Sequence, residues 1–149
     1  MNIVDYFDRN RIYNKIHIKL GDTITVDNIA YHVIKSSTTS RVGDEYAGKT
    51  ADDIFIILAL EMQNNGQQSK TILSSDFKLI DSKGREFSPD DSAWVYLTDN
   101  IMLKQLQPNL PTKGEIIFDV PNNPETYTLE ISDVLGVEKQ YIAIGNYSP

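Results

Sequence analysis

The chain has 149 residues, 40% of them hydrophobic and 23% charged, a net charge of −7 and no cysteine. That length supports one domain with a real core and is short for two. The acidic balance argues against nucleic acid and anionic lipid, which are bound through Lys and Arg, and the missing cysteines exclude disulfides, thiolate nucleophiles, iron–sulfur clusters and cysteine zinc sites.

No run approaches the ~18–20 apolar residues of a transmembrane helix. Residues 1–14 carry Asp5, Asp8, Arg9 and Arg11 and lack an apolar stretch of signal-peptide length. They are expected to form an N-terminal extension, as a short amphipathic helix through Ile3 and Phe7 or a frayed leader, to a domain spanning 15–149. Such a start fits a chain that stays inside the cell or one whose leader has been removed.

Residues 15–20 alternate, with Ile16, Ile18 and Leu20 on one face and Lys15, His17 and Lys19 on the other. That is a half-buried strand and a candidate edge for pairing with another chain. Gly21-Asp22 turns into a strand over 23–26, and Asp27-Asn28 turns into another over 29–36. Residues 37–52 are polar, contain Gly43 and Gly48, and hold no sustained period. They read as a long loop with room for a short strand, and a loop of that length in a compact domain is a functional candidate.

The strongest pattern follows. Ile54, Ile56, Leu58, Leu60 and Met62 share one face at period two, while Phe55, Ile57 and Ala59 cover half of the other before Glu61 and Gln63 return it to solvent. This predicts a central strand buried on both faces at one end. Short strands are expected at 70–74, 76–81 and 85–87, with a hairpin turn at Asp81-Ser82-Lys83-Gly84. Ser88-Pro89-Asp90-Asp91 reads as a helix start with Ser88 as N-cap, and Trp94 to Leu97 as either its next turn or a strand. Beyond Pro108 and Pro111, strands are expected at 115–120, with Ile116, Phe118 and Val120 inward, at 126–131, with Tyr127, Leu129 and Ile131 inward, and at 140–144. Eight or more short strands with almost no helical period give an all-β, antiparallel sandwich.

Signals for chemistry are sparse. His17 and His32 both lie on expected strands, and no Gly-x-Ser-x-Gly elbow accompanies them. Paired carboxylates occur at Asp44-Glu45, Asp52-Asp53 and Asp90-Asp91, without the spacing of an EF-hand. Asp44, Glu45, Asp52 and Asp53 flank one loop and are the calcium candidates, against the plainer reading of solvated surface charge. Gly43 and Gly48 are loop glycines with no following Gly-Lys-Ser/Thr to make a phosphate cradle. Phe55, Phe77, Phe118 and Tyr127 fit inward positions, whereas Trp94 and Tyr96 fall in an irregular segment and are candidates for a binding surface or for hydrophobic cover. No catalytic residue and no cofactor is expected.

The order of the pieces is informative in itself. Tyr31-x-Val33 precedes a Gly-containing loop, then the long strand ending in Asn64-Asn65-Gly66, then Phe77-x-Leu79-x-Asp81-x-x-Gly84-Arg85. Leu106-Gln107-Pro108, Lys113-Gly114-x-Ile116-x-Phe118-Asp119-Val120-Pro121 and Tyr127-x-Leu129-x-Ile131 follow, before a strand ending in Ile144. From about residue 21 to 144 this series resembles the immunoglobulin-like domain-of-unknown-function family of Gram-positive and archaeal lipoproteins and secreted proteins. That family is related in fold to the mycobacterial immunoprotective extracellular antigen. The resemblance implies an immunoglobulin-like β-sandwich outside the membrane, with no established catalytic residues. Family members usually carry a signal peptide, often with a lipid-modified cysteine, and neither is present here.

The expected function is a non-enzymatic, extracytoplasmic module that binds a protein or envelope component through residues 37–52 and 88–106. A structural module pairing through an edge strand is the alternative. A metal-dependent or hydrolytic enzyme ranks third.

Overall fold

A computed structural model describes residues 21–123 and 125–147. The expected extension at 1–14 and strand at 15–20, with His17, lie outside the described residues. Ten strands follow in order: β1 (Thr23–Val26), β2 (Ile29–Gly43), β3 (Gly48–Asn64), β4 (Lys70–Thr71), β5 (Phe77–Asp81), β6 (Glu86–Phe87), β7 (Gln105–Leu106), β8 (Thr112–Val120), β9 (Glu125–Ser132) and β10 (Lys139–Tyr147). Two short 3-10 turns, Ser74–Asp76 and Trp94–Tyr96, are the helical elements among the described residues.

The strands form two four-stranded antiparallel sheets, ordered β1-β2-β3-β8 and β10-β9-β5-β6, and a small β4-β7 ribbon. Inward residues of both sheets meet in one core. Tyr31, Val33, Ile56, Leu58, Leu60, Ile116 and Phe118 come from the first sheet, and Phe77, Leu79, Tyr127, Leu129, Ile131 and Ile142 from the second. Alternate apolar residues on two facing sheets are what an immunoglobulin-like sandwich requires.

The two-faced character expected of β3 is present. Ile56, Leu58, Leu60 and Met62 enter the main core, while Phe55 packs on the outer face with Val42, Ile117, Ala93 and Leu97. The outer cluster is covered by the chain around residues 93–97, which is why β3 is buried on both sides at this end alone.

The expected loop at 37–52 is instead a β-hairpin. β2 and β3 stay paired out to Gly43↔Gly48. Beyond the sandwich most of this ribbon meets solvent, with Val42 alone of its residues buried, in the outer cluster, so no apolar alternation marks it, although Thr and Val favour the extended chain. Two irregularities shape it. Ile34 is an extra residue between the pairs Val33↔Leu60 and Lys35↔Ala59, so inward facing passes from Tyr31 and Val33 to Ser36 and Thr38. Farther out, residues 51–54 bulge between the pairs Thr39↔Phe55 and Arg41↔Thr50. The carboxylate of Asp119 on β8 holds that bulge, accepting the amides of Asp52 at 2.7 Å and Asp53 at 3.3 Å.

Other expectations are corrected in detail. The strand expected at 70–74 stops at Thr71, and Asp76 belongs to the 3-10 turn rather than to β5. The helical turn expected after Ser88 is one 3-10 turn at Trp94–Tyr96, and Ser88 does not start it: Asp90 closes the turn before it, its Oδ1 accepting the amides of Ser92 at 2.9 Å and Ala93 at 3.1 Å. The turn at 81–84 is as expected: Gly84 takes φ +83°, and Asp81 Oδ1 accepts the amides of Lys83 and Arg85.

Candidate binding cleft

At one end of the sandwich, three turns from distant parts of the chain surround a cleft of about 360 Å³. The first joins β1 to β2, where Asp27 and Asn28 both take left-handed φ, 51° and 65°. Asp and Asn tolerate that region, and two such residues make the tight turn whose twist suits a hairpin. The second is the 3-10 turn at Ser74–Asp76, and the third joins β9 to β10 through residues 133–138.

Polar contacts fix these turns against one another. Asp27 donates its amide to Glu138 Oε2 at 3.0 Å, tying the first turn to the third. Lys70 Nζ lies 2.8 Å from Asp27 Oδ2 and also bonds the Asp27 carbonyl. Asp133 Oδ1 accepts the amides of Val137 at 2.8 Å and Glu138 at 3.2 Å, which closes the third turn from inside. Val134, Leu135 and Val137 consequently stand in water, 74%, 83% and 81% exposed, on a braced loop.

Tyr31 and Asp76 line the cleft and are almost wholly buried, at 2% and 7% exposure. The Tyr31 ring meets Phe77 edge-on, with centroids 6.0 Å apart. Burial pushes its hydroxyl far above the ordinary tyrosine range, and the carboxylates of Asp76 and Asp27 push the same way. Asp76 Oδ2 accepts the Leu73 amide at 3.0 Å. Burial nonetheless raises its pKa, against the opposing Leu73 hydrogen bond and with help from the charges of Asp133 and Asp27.

The residues singled out from sequence lie elsewhere. Asp44 and Glu45 occupy the β2–β3 turn, at the opposite end of the sandwich from the cleft. There Asp44 Oδ1 accepts the amides of Tyr46 and Ala47, both at 2.8 Å, and those bonds hold its carboxyl below the ordinary value. Asp52 and Asp53 are exposed on the bulge of β3. Among the described residues, no three His, Asp or Glu side chains assemble as metal ligands would, so the four acids are not brought together as a set. Trp94 is half-buried and packs against both apolar clusters, while Tyr96 beside it is 37% exposed. Lys49 on β3 fastens their turn by reaching Asp90 Oδ2 at 3.0 Å and the Ser92 hydroxyl. His32 is half-buried on β2, opposite Glu61.

Of the two candidate loops, the hairpin and the turn around Trp94 lie away from the cleft. The end of the second comes near it, where Leu103 and Lys104 exchange backbone bonds with Ile72 at 2.9 Å. Sequence reasoning missed the cleft because Tyr31 reads as a core strand residue and Asp27, Asp76 and Asp133 as ordinary turn acids. The available signal was Val134-Leu135-Gly136-Val137, an aliphatic run inside a turn, where polar residues are usual.

Among the described residues, no helix is long and apolar enough to cross a membrane. Solved structures with this fold include the yjhA protein of Bacillus subtilis, 17% identical with a TM-score of 0.65, over 85% of this chain and 98% of that one. The secreted protein MPT63 of Mycobacterium tuberculosis is 17% identical with a TM-score of 0.63, over 85% and 94%. A candidate lipoprotein of Bacillus subtilis, ycdA, is 16% identical with a TM-score of 0.59, over 83% of this chain and 38% of that one. No curated protein matches the chain. At such identities the likeness is one of fold. Family membership comes from the sequence itself: residues 18–142 match the domain of unknown function DUF4352, and the chain belongs to that family.

Proposed function

We propose that this protein is an extracytoplasmic binding module, without catalysis of its own, that holds a protein of the cell envelope at the cleft end of the sandwich. The observation that carries this reading is the braced aliphatic turn: Val134, Leu135 and Val137 stand exposed beside a cleft with a buried polar floor. Exposed aliphatics held rigid by a carboxylate lose little conformational freedom when a partner covers them. The acids favour binding over chemistry, since Asp133 is engaged by turn amides and Asp27 by Lys70. The secreted and candidate lipoprotein relatives support a place outside the cytoplasm.

The test is photo-cross-linking in intact cells, with p-benzoylphenylalanine at position 135 and, as control, at position 83 in the β5–β6 turn. A discrete adduct at 135 is expected, absent at 83 and lost when Val134 and Val137 become serine. Equal labelling from both positions, or fractionation of the protein wholly with the cytosol, would overturn the reading.

A further inference from the structure

The cleft's polar groups differ in what they already hold. Asp27 is paired with Lys70, and Asp133 Oδ1 is occupied by two turn amides. Asp76 accepts one hydrogen bond, at Oδ2, from the Leu73 amide. Tyr31, 2% exposed, lines the cleft, and among the described residues its hydroxyl makes no hydrogen bond. A hydroxyl that opens onto the cleft from a buried ring, beside a buried carboxylate with spare acceptor capacity, leaves bonding capacity for a ligand. Around them the walls are aliphatic, with Val26, Ile29 and Leu73 below and Val134 at the rim.

We propose that this cleft receives a lysine side chain of the partner protein, its ammonium bonded to Asp76 and to the Tyr31 hydroxyl and its methylene stem laid along the aliphatic wall. The inference rests on the binding reading above and names the chemistry of that site. An ammonium on a flexible apolar stem matches a deep acidic floor with greasy walls, since the stem buries while the head is paired. Asp76 already spends one oxygen on Leu73, which favours a point charge over a guanidinium that seeks two parallel bonds from one carboxylate. The volume lies within the ~300–1,000 Å³ typical of small-ligand pockets. A protein source follows from the rim, because Val134, Leu135 and Val137 offer apolar area beyond the reach of a free amine. The charge of the cleft agrees: Asp27, Asp76 and Asp133 outnumber Lys70.

The probes are capped pentapeptides that carry one central lysine flanked by leucines, with norleucine or glutamate as replacements, titrated into the folded protein by calorimetry. The lysine peptide is expected to bind about tenfold or more tightly than the norleucine peptide, the scale of one charge-assisted hydrogen bond. Tyr31→Phe keeps the ring on Phe77 and should shrink that preference. Asp76→Asn keeps an acceptor for the Leu73 amide and should abolish it, with unchanged melting temperature or better as the control for folding. Replacing Val134 and Leu135 by serine should weaken both peptides together and leave their ratio intact. Equal binding of lysine and norleucine peptides, or a preference that survives both floor variants, overturns the proposal. If that happens while the position-135 cross-link persists, the lysine assignment falls and the binding reading stands. Capped lysine alone binding as tightly as the peptide would overturn the protein source.

Discussion

Asp76 lies in one short 3-10 turn and Asp90 in the turn that leads into the other, and their surroundings drive them in opposite directions. Burial raises both. At Asp76 that effect wins, because the Leu73 amide is opposed by the nearby charges of Asp133 and Asp27. At Asp90, hydrogen bonds from Lys49, the Ser92 hydroxyl and the Ser92 amide outweigh burial and hold the carboxyl below its ordinary value. The linkage signs follow. As pH falls from neutral, folded Asp76 takes up its proton before the unfolded chain does, so this group adds stability down to about its unfolded value. Asp90 contributes stability above its unfolded value, and that contribution is lost as pH falls through the lower folded one. Asp76→Asn should therefore raise the melting temperature at pH 7 and remove the rise between neutral and mildly acidic pH. Asp90→Asn should lower it at pH 7 and flatten the acid limb. Thermal melts from pH 7.5 to pH 3 check both. A third buried polar residue, Asn64, works without charge: its amide donates to the carbonyls of Gln68 and Leu106 and accepts from Gly66, with 0% exposure. Asn64→Ala strands those groups and should cost about 2–3 kcal/mol in urea unfolding.

At the scale of elements, the legible strands are those with one face dry. β3 announced both its faces, because the outer cluster and the main core impose the same period from opposite sides. The outer half of the β2–β3 hairpin did not, since solvent bathes most of it and one buried residue, Val42, sets no period. The helical turn expected after residue 88 is present as a 3-10 turn at Trp94–Tyr96 and goes no farther. Its start signals serve one turn as well as four, and Val95 and Tyr96 point to water where a helix would need apolar residues. Asp119 illustrates a contact that no local pattern reveals: it sits on β8 and braces a bulge on β3. Asp119→Ala should cost about 1–3 kcal/mol, the range for charge-assisted bonds and the amides they leave unpaired. Native-state hydrogen exchange should then show the Asp52 and Asp53 amides released ahead of their neighbours. Gly114 on the same strand makes room for the chain that crosses it, since a Cβ there would lie 2.1 Å from Ile101 Cγ2. Gly114→Ala should destabilise by about 1–3 kcal/mol through overpacking.

Across the whole molecule the two ends of the sandwich are held by separate devices. Turn-to-turn bonds among Asp27, Lys70, Asp133 and Glu138 build the cleft, and the Lys49–Asp90 latch fastens the turn that carries Trp94 at the other end. The candidate site was invisible in sequence because its members belong to three turns and a strand that meet only once the two sheets have stacked. The latch should be energetically independent of the cleft, because sites far apart with no shared partner add. Lys49→Ala removes a half-exposed ion pair and should cost about 1 kcal/mol, most of the Coulomb gain at such a site being screened by water. Trp94 is the chain's single tryptophan, so its emission reports the loosened turn directly and should shift to the red in this variant. Affinity for the lysine peptide should not change, and the destabilisation of a Lys49→Ala, Asn64→Ala pair should equal the sum of the singles to within about 0.5 kcal/mol. A peptide affinity that moved with the Trp94 emission would instead mean that β3, which runs from Lys49 at one end to Asn64 at the other, transmits strain along its length.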